Sequence, residues 1–110
     1  REHNINDISK VGLYGLTYKE NVDDVRESPT LQLLKRMDEH LAFGVKVFDP
    51  LIKNRMVDHQ FLNFEDFLNE IEILVIMVAH DHIKDNLELI KDKLILDTKN
   101  ICNFDKVYKL

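Results

Sequence analysis

A single cysteine, Cys102, stands in a chain of 110 residues. One thiol closes no intrachain disulfide and rules out any zinc motif built on cysteine pairs, so a reducing compartment is expected, most simply the cytoplasm. No apolar run approaches the roughly 18 residues of a membrane-spanning helix, and Arg-Glu-His-Asn-Ile-Asn-Asp is too polar for a secretory leader. No basic cluster is present either: the 15 Lys and Arg are scattered and the net charge is -5, which argues against a nucleic-acid partner. Glycine is scarce. A dinucleotide fingerprint needs a third glycine after Gly12 and Gly15 and a short turn into a helix; neither exists, and there is no P-loop. Gly12 and Gly15 therefore read as packing and turn glycines.

What is there is an alternation of strand and helix periods in a chain sized for one domain. Val11, Leu13 and the two glycines predict a buried strand over about 10 to 15. Ser28 followed by Pro29 reads as an N-cap with proline at the first helical position. The helix it starts runs over 29 to 43, with Leu31, Leu34, Met37 and Leu41 in step and Gly44 placed to end it. Val45, Val47 and Phe48 predict a second strand stopped by Asp49-Pro50. A looser stretch then leads to a short helix carrying Phe64, Phe67, Leu68 and Ile71. The unbroken run Ile73 to Ala79 predicts a central strand covered on both faces. Asp81 is a candidate cap for a helix with Ile83, Leu87 and Ile90 in step. Leu94 to Leu96 forms a fourth strand, and 106 to 108 a weak last one.

This order predicts a doubly wound, three-layer α/β domain with a mainly parallel sheet and helices on both faces. The carboxyl ends of its strands gather on one edge, where ligands bind in such sheets. Four segments should meet there: the 16 to 27 loop, Asp49-Pro50, Ala79 to His82, and Asp97 to Asn100. The first is overlong, since strand-to-helix loops usually take about two to six residues. It carries Lys19 and Arg26 among Glu20, Asp23, Asp24 and Glu27, so its charges either pair internally or meet a charged ligand. Lys19, Arg26 and Lys99 are the cations that could surround one anion beside helix N-termini, which points to a phosphorylated small molecule. The trio His80-Asp81-His82 has poor spacing for a metal, because i and i+2 diverge on a helix, and no metal site is expected. Asp23 and Asp24 are better explained by pairing within the loop, and Cys102 by a structural thiol.

The run from Gly12 through Tyr18-Lys19-Glu20-Asn21 to Arg26-Glu27-Ser28-Pro29 resembles the signature that opens the C-terminal, UDP-sugar-binding domain of the UDP-glucose/GDP-mannose dehydrogenase family. Val47-Phe-Asp-Pro50 and Asp97-Thr-Lys-Asn100 match two later signatures in order. Within the family, the Tyr-Lys-Glu-Asn and Arg-Glu-Ser-Pro forms look most like UDP-N-acetylmannosamine dehydrogenases of capsule and surface-polysaccharide synthesis, with UDP-glucose dehydrogenase close behind. The resemblance implies an NAD-dependent, two-step oxidation of the sugar C6 alcohol through a thioester. Its cysteine and its NAD-binding domain lie upstream in the family, so no catalytic residue is expected in this chain. Residues 1–9 are expected to be the tail of a connection from that part, and residues 10–110 the UDP-sugar-binding domain of a homodimeric enzyme. The resemblance implies substrate contacts for Tyr18, Lys19 and Lys99, and contact with NAD for Arg26. Lys99 stands where arginine is common; lysine keeps the charge but loses the two-pronged fork. A receiver-like signalling domain shares the size and alternation, but the third strand should then end in an aspartate, and it ends Val78-Ala79-His80.

Overall fold

A computed structural model describes residues 9–39 and 44–99, with residues 107–109 as backbone; residues 1–8, Leu41, Asn100 and Cys102 lie outside the described residues. The chain forms β1 (Val11–Tyr14), α1 (Pro29–Glu39), β2 (Lys46–Phe48), β3 (Gln60–Phe61), α2 (Phe64–Asn69), β4 (Ile73–Ile76), α3 (Asp81–Lys84), a 3-10 helix (Leu87–Ile90), β5 (Leu94–Asp97) and β6 (Val107–Lys109). The strands build one six-stranded sheet in the order β3-β2-β1-β4-β5-β6, and every pairing is parallel. The doubly wound α/β expectation is met.

Alternation along the strands splits the apolar side chains between two faces. Tyr14, Phe48, Leu74, Ile76 and Ile95 turn toward α2, α3 and the 3-10 helix, where Phe67, Leu68, Ile83 and Ile90 complete a buried cluster. Leu13, Leu16 and Val47 turn the other way and meet Leu31, Leu33, Leu34 and Met37 of α1. Removing the side chain of the fully buried Phe67 would cost about 3–5 kcal/mol.

The start of α1 is as the sequence suggests: the Leu31 amide donates to Ser28 Oγ at 3.2 Å, and the helix begins at Pro29. α1 is described as far as Glu39, and Gly44 holds a φ of 96°, in the left-handed region that glycine adopts freely. Four expectations need correction. β3 was not foreseen, because two residues carry no periodicity; the buried Gln60 side chain secures it by accepting from the Met56 amide at 2.6 Å and donating to the Asn54 carbonyl at 2.9 Å. β4 stops at Ile76 rather than Ala79, since the Met77 and Val78 amides both turn onto the Tyr14 carbonyl, at 2.9 and 3.3 Å. The helix after it is broken after one turn: Asn86 Nδ2 donates to the His82 carbonyl at 2.6 Å, occupying the acceptor that the next helical turn would use. Nor is Asp81 its cap. His80 occupies that position in extended conformation with no side-chain capping bond, and Asp81 is the first helical residue.

The strand order reverses between β1 and β4, and this switch point opens a crevice outside the strand ends. Gly15 makes the turn into it with a φ of 107°, and a Cβ there would lie 2.6 Å from Val78 Cβ and 2.7 Å from the Val78 backbone nitrogen. Gly15→Ala is expected to cost about 2–4 kcal/mol from overpacking and backbone strain together, read as a lower denaturant midpoint at unchanged slope.

Candidate functional site

The site rests on a buried carboxylate. Asp49, at the carboxyl end of β2, is 1% exposed. Its Oδ2 accepts from the amides of Leu16 at 2.6 Å and Thr17 at 3.2 Å, and its Oδ1 from the Leu51 amide at 2.8 Å. His80, past the end of β4 and equally buried, places Nε2 at 2.9 Å from Oδ2. The ring's tautomer follows from its partners: Nδ1 takes the Asn21 amide hydrogen at 2.8 Å, so the proton on Nε2 points at Asp49. The Thr17 hydroxyl, 3.2 Å from Nε2, donates to the Lys19 carbonyl at 3.0 Å. Asn21 in turn accepts the Asp81 amide on its Oδ1 at 3.0 Å. Burial alone would push the Asp49 carboxyl up, but the hydrogen bonds from His80 and from the Leu16 and Leu51 amides outweigh it and hold the group below the usual aspartate range.

A second, part-buried pair, Tyr14 and His82, lies beside it. Burial, reinforced by the Asp49 charge, drives the Tyr14 hydroxyl well above its ordinary range. It stays protonated and lies within hydrogen-bond distance of His82 Nδ1, at 2.9 Å. His82 stacks on Tyr14 and meets Phe64 edge-on, with ring centroids 6.0 and 4.8 Å apart. Burial first, and the neighbouring His80 and Lys53 next, lower its proton affinity. His80 and His82 make the hydrogen bonds and ring contacts given above; no group of three or more potential metal ligands occurs among the described residues.

On this base the 16 to 21 loop presents its outer side to the crevice. A cleft of about 160 Å³ is lined by Tyr18, Lys19, Glu20, Pro29, Met77, Val78, Ala79 and Lys99. Three of the four residues singled out from sequence, Tyr18, Lys19 and Lys99, thus share one cleft. Pro29 brings the N-terminus of α1 to its wall, adding partial positive charge. Two lysines and a helix N-terminus over an apolar floor suit an anion joined to a ring. The volume matches part of such a ligand, since whole small-molecule sites run from about 300 Å³ upward. Lys99 is set by its own amide, which donates to Asp97 Oδ1 at 3.0 Å, and by Thr98, whose hydroxyl donates to the Ile76 carbonyl.

Arg26, the fourth, does not line the cleft. Its guanidinium is 87% exposed and clasps Asp24, Nη2 lying 2.7 Å from Oδ2 and Nε within 3.0 Å of Oδ1. The Arg26 side-chain hydrogen bonds, with help from its amide, pull the Asp24 carboxyl down to about 2. Internal pairing of the loop acids, expected from the sequence, is realised at Asp24. The Asp49–His80 pair was not singled out in the sequence. The signal available was positional: both residues stand at strand carboxyl ends, in segments expected to meet.

A model of the UDP-glucose/GDP-mannose dehydrogenase family, UDP binding domain, matches residues 12–104. The chain is 35% identical over 105 residues to the UDP-N-acetyl-D-mannosamine dehydrogenase of Methanocaldococcus jannaschii, covering 88% of this chain and 24% of that one. It is 29% identical to the UDP-glucose 6-dehydrogenase of Rickettsia conorii, covering 91% and 26%. The native structure of the UDP-N-acetyl-mannosamine dehydrogenase from Staphylococcus aureus superposes with a TM-score of 0.69 at 28% identity, over 92% of this chain and 26% of that one. The chain therefore spans about a quarter of the length of these relatives. The receiver-like alternative is set aside by the family match, and Asp49, buried under four donors, offers no free carboxylate for phosphorylation.

Acid should destabilise the fold. Asp49 is held below its ordinary value, so its contribution is complete above roughly pH 4 and is lost as pH falls through the folded-state value. His82, held below 6.5, binds its proton more readily when unfolded, so stability also declines as pH drops below that point. Urea midpoints taken from pH 7 down to 3 should fall steadily. Asp49→Asn, which leaves buried amides facing an NH2 group, should cost about 2–4 kcal/mol at neutral pH and flatten the acid limb; a midpoint independent of pH would contradict the assignment.

Proposed function

The chain belongs to the UDP-glucose/GDP-mannose dehydrogenase family, and from that premise we propose that it is the nucleotide-sugar-binding part of an NAD-dependent UDP-sugar 6-dehydrogenase. The enzyme would convert UDP-N-acetylmannosamine to UDP-N-acetylmannosaminuronate for capsule or surface-polysaccharide synthesis. The observation that carries the reading is the meeting of Tyr18, Lys19 and Lys99 in one cleft at the switch point. The names of several relatives favour the N-acetylmannosamine substrate; the Rickettsia relative keeps UDP-glucose as the alternative.

In this reading Lys19 neutralises the diphosphate at its sugar end and Lys99 the opposite side, while the exposed Tyr18 ring, 52% accessible, packs over the ligand. The α1 N-terminus adds its dipole, an interaction that needs no counterion. NAD, when bound, supplies hydride acceptance for the two successive oxidations at C6, and is held chiefly by a domain N-terminal to residues 10–110. Arg26 fits a contact with its pyrophosphate: the guanidinium is exposed and its clasp to Asp24 is a surface pair of small net worth, so it can exchange partners without a large penalty. No group in this chain is assigned to the chemistry, and the fragment alone is inactive. The same reading makes the whole enzyme a cytoplasmic homodimer. Among the described residues no helix is long and apolar enough to cross a membrane.

Titration of the chain with UDP, UDP-N-acetylmannosamine and UDP-glucose, followed by amide NMR shifts, tests this. Saturable shifts in residues 16–27 and 97–99 are expected. Lys19→Ala should weaken binding about tenfold, equivalent to about 1.4 kcal/mol. Shifts absent at millimolar ligand, or unaltered by the substitution, would count against the cleft.

A further inference from the structure

The cleft's lysine side chains are exposed, so their position is set by the backbone that carries them, which the Tyr18 amide ties to the Asp24 carbonyl at 2.7 Å and which is held from beneath at its feet. Tyr18, Lys19 and Glu20 form the crest of a loop anchored at both feet. One foot is the pair of amides, Leu16 and Thr17, on Asp49 Oδ2; the other is the Asn21 amide on His80 Nδ1, at 2.8 Å. The two anchors are joined below by His80 Nε2 on Asp49 at 2.9 Å. Between them the Thr17 hydroxyl holds the carbonyl of Lys19 itself at 3.0 Å. Asn21 sits at a φ of 61°, a conformation that needs surrounding support in a residue other than glycine.

We infer that His80, through Asp49 and Thr17, is a positioning residue that fixes the height and direction of Lys19 over the crevice and so sets the affinity for the anionic ligand. The inference rests on the reading of Lys19 as a ligand contact. The pair touches no ligand itself, being buried under the loop. Its geometry explains why a long charged loop can hold a lysine opposite Lys99: a buried carboxylate and an imidazole, bonded to each other, accept four backbone amides that would otherwise have to be satisfied by water. His80 is suited to the task because one ring gives a donor on one side and an acceptor on the other, about 2 Å apart. Leucine supplies neither; glutamine supplies both from its amide.

The test is a double-mutant cycle in the 110-residue chain, with UDP as the probe. His80→Leu, checked for cooperative unfolding, should weaken UDP binding about tenfold, as Lys19→Ala does, and the double variant should bind no more weakly than Lys19→Ala alone. His80→Gln should restore most of the affinity, a rescue that loss of bulk packing would not give. Wild-type affinity in folded His80→Leu, or a double variant that loses the product of both factors, overturns the inference. Should His80→Leu not fold, Thr17→Val carries the same cycle, since it leaves the Asp49–His80 bond in place and removes the tie to the Lys19 carbonyl. If the unaltered chain shows no UDP binding, the functional reading fails separately. Positioning is then read from hydrogen exchange at the bonded amides of Tyr18 and Asn21: about tenfold faster exchange in either variant supports it, and unchanged protection overturns it.

Discussion

One carboxylate ties together three strand ends that the chain supplies at widely separated points. Asp49 belongs to β2, its amide donors to the segment leaving β1, and its imidazole partner to the segment leaving β4. A buried anion is costly unless its lone pairs are filled, and here four donors fill them. The β1 loop cannot lift without exposing that charge to unpaired burial. The crevice at the switch point therefore has a stiff floor, and the charged residues above it are displayed on a frame rather than on a free loop.

The loop divides by chemistry. Residues facing inward are small or neutral, Thr17 and the backbone of Leu16 and Asn21, and they are fully engaged. Those facing outward are ionised and lightly held: Lys19 has solvent around it, Arg26 has Asp24, and Glu20 has Lys84 at 3.7 Å. In the proposed function, separating fixed from exchangeable partners in this way would let a ligand compete for the outer charges while the inner network stays intact.

The architecture and the membership of the cleft were legible because they rest on patterns a sequence carries openly. Alternation of strand and helix periods gave the sheet, and Ser28-Pro29 gave the start of α1. The strand-end rule then gathered Lys19 and Lys99 across eighty residues. The interior of the site was not legible. Nothing in His80-Asp81-His82 says that the first histidine faces Asp49 and the last faces Tyr14, because their directions depend on where β4 ends. That end is set by the Tyr14 carbonyl capturing two amides, an event in space with no local sequence signature. Asp81 failed as a cap for the same reason, and β3 escaped because its stability comes from the Gln60 side chain and not from its strand propensity.

β1 sits in the interior of the sheet, yet both of its neighbours come later: Gly12 to Tyr14 pair with Lys46 to Phe48, and Val11 to Tyr14 with Ile73 to Ile76. During synthesis β1 therefore waits with both hydrogen-bonding edges unsatisfied until β2 emerges, and with one until β4 does, several seconds at roughly 5–20 residues per second. Parallel pairing offers no hairpin to shelter it meanwhile. The two glycines in and after β1, whose places only the finished sheet requires, also lower the strand propensity of that waiting segment, so the residues that make the crevice possible also restrain premature association of the nascent chain.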